Sequence, residues 1–181
     1  MAADFTANCD CLLQTIMKAA LMIIDMQKAY YGGGAVSQMD AASEYINAVI
    51  PFFREKGLPV VWVYNEDEED GVVPGKEQYE FIDALKPADG DIKINKIYGN
   101  SFNKTDADQV LKDAGIDTVV MTGFCAEYCV LSTYRGAKDL DYFPVLLKNG
   151  IASVEKENKE FVENISETIT YGVLKKMIEQ G

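Results

Sequence analysis

Three side chains in the sequence could together form a nucleophile with its acid and base partners. Cys129 follows a β-branched apolar run that ends at Gly123, and it lies in the first turn of a helix predicted over residues 126–138. Free backbone N–H groups and the positive end of the helix dipole favour a thiolate at such a position. Asp25 and Lys96 each stand at the C-terminal end of another predicted buried strand.

A thiol, an ammonium group and a carboxylate suit nucleophilic catalysis. The ammonium stabilises a neighbouring thiolate, and the carboxylate can accept the thiol proton and pass it to a leaving amine. We therefore expect the pKa of Cys129 to lie below its ordinary value of about 8.5. Each residue also has a structural interpretation: a free cysteine as a small buried hydrophobe, a strand-end aspartate as a turn cap, and a lysine as a solvated charge.

The composition excludes several kinds of site. The chain has no histidine, which removes Ser-His-Asp and Cys-His catalysis and every histidine-ligated metal site. The acidic run 66–70 lacks the pattern of a calcium loop and is expected to be a solvated loop. Glycines 32–34 lack the G-x-G-x-x-G spacing of a dinucleotide site. The sequence therefore predicts neither a metal site nor a cofactor.

Charge and cysteine content indicate the setting in which the protein works. A formal charge of −12 argues against a nucleic-acid or anionic-membrane partner and leaves a small-molecule substrate. The four cysteines form two close pairs in a chain large enough to fold without disulfides, which favours a reducing compartment. Residues 1–16 carry acidic but no basic residues, unlike a secretory signal. We expect a cytoplasmic location.

Strand and helix patterns alternate along the chain. The sequence predicts strands at 20–24, 59–64, 91–95, 117–121, 143–147 and 168–171, and helices at 37–56, 105–114, 126–138, within 154–165, and up to 180, with a short helix near 77–85. This order predicts an α/β fold, a three-layer α/β/α sandwich with a mostly parallel, doubly wound sheet of about six strands. We expect an N-terminal extension, residues 1–16, and a single domain over 17–181. Ligands of such sheets bind at the C-terminal strand ends, where Asp25 and Lys96 stand.

Three sequence blocks, in order, resemble the isochorismatase-like cysteine hydrolases, a family that includes nicotinamidases, N-carbamoylsarcosine amidase and ureidoacrylate hydrolases. The blocks are ALMIIDMQKAY, KIYGNSF and VVMTGFCAEYCVLSTYRGA, and the similarity spans about residues 19–175. The resemblance implies that Asp25, Lys96 and Cys129 form a catalytic triad. It also implies a homo-oligomer.

The resemblance further implies the surroundings of the triad. Tyr30 and Phe102 match aromatic pocket positions, and we expect Phe124 to add a third apolar wall for the substrate. The family has a cis peptide just before the nucleophile segment, here between Phe124 and Cys125. In the family this peptide helps to direct the backbone N–H groups of Cys125 and Cys129 into an oxyanion hole.

Departures from the family pattern narrow the range of activities that the resemblance implies. Nicotinamidases hold a divalent ion with histidines, which this chain lacks, so nicotinamidase activity is not assigned. Isochorismatases that cleave a vinyl ether lack the cysteine that is present here. Ala126 and Glu127 stand where threonine and aspartate are usual, and Cys125 where alanine or serine is usual. The sequence thus predicts a cysteine-dependent hydrolase of an amide or ureide C–N bond, acting through a thioester.

Two alternatives come from other functional classes. Cys9, Cys11, Cys125 and Cys129 could belong to a redox or thiolate-metal protein, although C-x-C and C-x-x-x-C are not the usual zinc spacings. The chain could also be a catalytically silent binding protein on the same fold, because a fold does not guarantee an activity.

We expect residues 1–16 to be dispensable, because the first predicted strand and the resemblance both begin after Met17. A variant that starts at Met17 should match the full chain in solubility, measured by size-exclusion chromatography, and in turnover, measured by substrate depletion. Aggregation or inactivity of the shortened variant would contradict this expectation.

Overall fold

The computed structural model describes residues 18–180. Six parallel strands form one sheet in the order β3-β2-β1-β4-β5-β6. The strands are β1 (Ala19–Ile24), β2 (Val60–Asn65), β3 (Ile92–Lys96), β4 (Thr118–Gly123), β5 (Phe143–Ile151) and β6 (Thr168–Ile169). The sequence-based prediction of a doubly wound sheet is confirmed, and every strand pair in it is parallel. The predicted extension 1–16, with Cys9 and Cys11, lies outside the described residues.

Five α-helices among residues 18–180 cover the two faces of the sheet. They are α1 (Ala35–Glu55), α2 (Ala107–Asp113), α3 (Leu131–Asp139), α4 (Lys156–Asn164) and α5 (Tyr171–Gln180). Apolar residues of α1 and α5 pack on one face, and those of α2, α3 and α4 on the other. None of these helices, within the described part of the chain, is long and apolar enough to cross a membrane.

The two central strands explain why the sheet is covered on both sides. All six residues of β1 and all six of β4 are buried. In β1, Leu21 and Ile23 contact the α1 side, whereas Met22 and Ile24 contact the α3 side. A continuous apolar run is typical of a parallel strand that packs on both faces.

Two local predictions were wrong. The stretch 77–85 forms one 3₁₀ turn, Glu77–Tyr79, in place of a helix, because residues 80–82 pair their backbone with residues 26–28. The spacing of Thr105 and Asp108 resembles a capping box and predicts one at the start of α2. None forms there, because the Asp108 carboxylate accepts hydrogen bonds from Lys112 and Tyr142. At both places, other contacts of the folded chain replace the pattern that the local sequence indicates.

The strand order creates a crevice at the carboxyl ends of β1 and β4. In the sheet, β1 lies between β2 and β4. The chain adds β2 and β3 on one side of β1 and then β4, β5 and β6 on the other, so the direction of strand addition reverses between β1 and β4. Connections on either side of such a switch point diverge and leave room for a ligand. Asp25 directly follows β1, and the segment that carries Cys129 follows β4.

Gly123 allows β4 to approach β1 closely at this crevice. Its φ is +117°, and a side-chain carbon placed there would overlap the carbonyl oxygen of Ile24 and lie 2.6 Å from the Ile24 nitrogen. These are backbone atoms of the neighbouring strand, so they cannot move aside independently of the sheet. The two strand ends can therefore lie together only if residue 123 has no side chain.

We expect Gly123→Ala to lower the melting temperature by about 10 °C or to prevent soluble expression, because backbone overlap and a left-handed φ add together. Gly172→Ala is the matched control, since Gly172 lies in α5 with no atom within 4 Å of the added carbon. Differential scanning calorimetry of both variants measures the effect. Equal melting temperatures would contradict the role assigned to Gly123.

Candidate active site

The three predicted catalytic residues meet at the crevice. Lys96, the last residue of β3, donates hydrogen bonds to Asp25 Oδ2 at 2.7 Å and to Cys129 Sγ at 3.4 Å. Asp25 and Lys96 are only 1% and 2% exposed, and Cys129 is half-buried. The structure thus brings together a thiol, an ammonium group and a carboxylate, each at or after the end of a different strand.

Asp25 is held in an unusual conformation. Its φ of +51° lies in the left-handed region that non-glycine residues seldom adopt, and its N–H donates to the Val63 carbonyl at 3.0 Å. A backbone of this kind costs about 1 to 3 kcal/mol and persists where the surrounding structure enforces it. Among residues 18–180, no hydrogen-bond donor contacts Asp25 Oδ1 although this oxygen is buried. That oxygen is available to accept a proton.

Lys96 is fixed by a neighbour that sequence reasoning did not assign to the site. Its third hydrogen bond goes to Asn65 Oδ1 at 3.1 Å, so all three N–H donors of the ammonium are used. Asn65 Nδ2 donates in turn to the Tyr30 hydroxyl at 2.8 Å. The side chain of Gln27 holds the Asn65 backbone through bonds of 2.8 and 3.0 Å.

One feature of the sequence could have identified Asn65 as a site residue. Asn65 is the last residue of β2, and strand-end position is the rule that identifies Asp25 and Lys96. The acidic run 66–70 directly after Asn65 instead indicates a solvated loop. In the structure, that loop is closed by Asp67, whose carboxylate accepts the N–H groups of Glu69 and Asp70. No group of side chains suited to a metal ion occurs in the described region.

The segment that carries Cys129 is a π-helical turn, Ala126–Val130, followed directly by α3. Such wide turns are rare and frequently occur at functional sites. The N–H groups of Tyr128 and Val130 both donate to the Cys125 carbonyl, at 3.1 and 3.2 Å. The peptide bond between Phe124 and Cys125 is cis, as the resemblance implied.

The electrostatics of the thiol correct the sequence-based expectation. Burial, and after it the negative charge of Asp25, raise the pKa of Cys129 to about 12, and Lys96 offsets these effects only in part. The prediction of a thiolate in the resting site was therefore wrong in sign. It counted the charges but could not measure how deeply the thiol is buried, and burial disfavours the charged form.

The pKa of the Asp25 carboxyl group is also raised. Burial raises the pKa of Asp25 above its ordinary value, while the Lys96 ammonium and the Cys129 thiol partly oppose that rise. A carboxylate with a raised pKa is a stronger base than an exposed one. The geometry therefore supports a neutral thiol beside a carboxylate able to remove its proton.

The predicted aromatic pocket residues separate into two groups. Tyr30 and Phe124 stack with their ring centres 5.8 Å apart. Burial, and after it the negative charge of Asp25, raises the pKa of Tyr30 to about 12. Phe102 lies on the opposite face of the sheet, where it stacks on Tyr142 at 5.7 Å. The structure brings Tyr30 and Phe124 together and places Phe102 apart from them.

Comparison with known proteins gives the family. The family model described as "Isochorismatase domain" matches residues 19–167. A ureidoacrylate amidohydrolase from Pseudomonas savastanoi pv. phaseolicola is 29% identical over 168 residues, which cover 72% of this chain and 69% of that protein.

Two solved structures are similar over most of their length. An isochorismatase-like hydrolase from Alkaliphilus metalliredigens has a TM-score of 0.81 at 25% identity and covers 91% of this chain and 98% of its own. An N-carbamoylsarcosine amidase from Thermoplasma acidophilum has a TM-score of 0.73 at 28% identity and covers 85% and 95%. Fold, site geometry and the matched range agree, and this chain belongs to the isochorismatase family of hydrolases.

Proposed function

We propose that the protein hydrolyses an amide or ureide C–N bond of a small molecule through a thioester on Cys129. The observation that carries this proposal is the buried Lys96 ammonium, which contacts both the Asp25 carboxylate and the Cys129 sulfur. It places the base and the nucleophile around one fixed cation. Cysteine nucleophiles in hydrolases need an adjacent base of this kind.

In the first half of the reaction, Asp25 removes the proton of the Cys129 thiol as the sulfur attacks the substrate carbonyl carbon. An S–C bond forms, and the carbonyl π electrons move to the oxygen. When this tetrahedral intermediate collapses, the C–N bond breaks and Asp25 gives its proton to the departing nitrogen. The unpartnered Asp25 Oδ1 is the oxygen best placed to carry that proton.

The developing oxyanion needs hydrogen-bond donors that are already in place. The backbone N–H groups of Cys125 and Cys129 fill this role in the proposal. No acceptor among the described residues pairs with the Cys125 N–H, which supports its availability. Donors fixed before the reaction stabilise the transition state without further reorganisation.

In the second half, water attacks the thioester carbon while Asp25 accepts a proton from it. The C–S bond breaks and the thiol of Cys129 takes up the proton again. The product is a carboxylic acid, or a carbamic acid when the substrate is a ureide. The cycle consumes one water molecule and restores the resting site.

Two relatives and the aromatic pocket support a particular class of substrate. The names of two relatives, ureidoacrylate amidohydrolase and N-carbamoylsarcosine amidase, favour a carbamoyl compound as the substrate of this chain. The stacked rings of Tyr30 and Phe124 offer apolar walls beside the triad. Such walls suit a small substrate with few charges.

The direct test is ammonia release from ureidoacrylate and N-carbamoylsarcosine, extended by mass-spectrometric depletion screening of a metabolite pool. We expect turnover of at least one ureide or amide by the parent protein and none by Cys129→Ala, because that variant lacks the nucleophile. Equal turnover by the two proteins would exclude the thioester pathway.

The protonation state of the thiol gives a second prediction. With a pKa of about 12, the Cys129 thiolate fraction should rise about tenfold per pH unit from pH 7 to pH 10. Alkylation of Cys129 by iodoacetamide, followed by peptide mapping, should rise in parallel. A rate that is already constant below pH 8 would show that the resting thiol is ionised.

Asp25→Asn separates the thiol's reactivity from turnover. It removes a negative charge that raises the pKa of Cys129, so alkylation at pH 8 should become faster, while turnover should be lost with the proton carrier. Each lowering of that pKa by one gives about ten times more thiolate. Asp89→Asn, at an exposed position, is the charge-matched control and should change neither rate.

A further inference from the structure

Glu127 lies beside the nucleophile and accepts hydrogen bonds from three other side chains. Its Oε2 accepts from the Cys125 thiol at 3.0 Å, and the Ser153 hydroxyl lies 2.7 Å from Oε2 and 2.9 Å from Oε1. Asn158 Nδ2 donates to Oε1 at 2.7 Å. Cys125, Ser153 and Asn158 take no part in the acid-base steps described above.

These contacts connect two separate parts of the chain. Glu127 lies in the turn Ala126–Val130 and Cys125 directly precedes that turn. Ser153, by contrast, lies in the loop after β5, and Asn158 lies in α4. The backbone adds a parallel link, because the Ala126 N–H donates to the Ala152 carbonyl at 2.8 Å. The turn is thus held against the rest of the sheet on the side away from Asp25.

The Glu127 carboxylate is specifically suited to this connection. Partial burial raises its pKa, yet hydrogen bonds from Cys125 and Ser153 outweigh that effect and hold the pKa below its usual value. An ionised carboxylate accepts at both oxygens. A glutamine would present an NH₂ group on one side, so a donor would face a donor at either Cys125 or Asn158.

We propose that Glu127 is a positioning residue that fixes the backbone N–H groups of Cys125 and Cys129 for the oxyanion. The inference rests on the proposed function, because it assumes that these two N–H groups face the reacting carbonyl oxygen. Glu127 acts through the backbone of its turn and has no contact with the substrate carbonyl. Its loss therefore weakens transition-state stabilisation and leaves the acid-base groups in place.

The charge environment of the thiol allows this role to be isolated. Burial has the largest effect on the pKa of Cys129, followed by the charges of Asp25 and Lys96. Removing the Glu127 charge should therefore change the thiolate fraction of Cys129 little. A reaction that needs only the thiolate is then a reference for one that also needs the oxyanion hole.

Two probes supply that comparison. Acylation of Cys129 by p-nitrophenyl acetate passes through a tetrahedral oxyanion and releases p-nitrophenolate, whose absorbance is followed as a burst. Alkylation by iodoacetamide is a displacement at saturated carbon and forms no oxyanion. The ratio of the two rate constants at one pH reports the oxyanion hole and cancels changes in thiol ionisation.

We expect Glu127→Gln to lower this ratio about tenfold or more, since outright removal of one oxyanion donor costs about 100- to 1000-fold in rate. The alkylation rate of Cys129 should stay within about twofold of the parent value. Glu157→Gln, which removes the same charge at an exposed position in α4, is the matched control and should leave the ratio unchanged. Ser153→Ala should lower the ratio in the same direction and decides the question if Glu127→Gln does not fold.

The outcomes separate the inference from the proposed function. An unchanged ratio in Glu127→Gln and Ser153→Ala would overturn the positioning role, as would an equal fall in Glu157→Gln. A burst that persists in Cys129→Ala would instead refute the thioester mechanism itself. A lowered ratio together with a burst that requires Cys129 supports both.

Discussion

The buried ion pair between Lys96 and Asp25 is the interaction on which the rest of the site depends. The two groups lie 2.7 Å apart, with side-chain exposures of 0% and 2%. Burying two charges costs several kcal/mol, and a single charge left without its partner would be far less favourable. The ammonium satisfies its other two donors with Asn65 and Cys129, so the pair is stable only when the whole cluster is assembled. Catalytic geometry and local stability therefore depend on the same contacts.

The parallel sheet supplies this cluster because it directs the ends of several strands to one edge. Asp25 follows β1, Asn65 ends β2, Lys96 ends β3, and the Cys129 turn follows β4. Asn65 and Lys96 are register partners in neighbouring strands, which explains how a lysine two strands away from β1 is guided to Asp25. The close approach of Gly123 to Ile24 completes the arrangement from the other side. Backbone pairing thus brings these residues to one edge of the sheet, where the side-chain contacts complete the cluster.

The sequence predicted the parts of this arrangement that follow from strand ends and motif order. Asp25, Lys96 and Cys129 were identified in this way, and so was the order of strands and helices. The contact of Asn65 with Lys96 was not predicted, because the acidic run directly after Asn65 indicates a solvated loop. The network around Glu127 could not be predicted either, since Ser153 and Asn158 are 26 and 31 residues away and only tertiary packing brings them together. The pKa of Cys129 depends on burial, which residue spacing does not reveal.

A neutral resting thiol is compatible with the proposed thioester reaction, because that reaction would move a buried negative charge without creating a new one. Before attack, the crevice holds the Lys96 cation and the Asp25 anion. When Asp25 takes the thiol proton and sulfur adds to the carbonyl, the carboxyl group becomes neutral and the negative charge appears on the substrate oxygen. The net charge near Lys96 is unchanged, so no further ion has to be desolvated. What changes is where the anion lies. In the proposed mechanism, the backbone N–H groups of Cys125 and Cys129, held in place by Glu127, stabilise it at its new position.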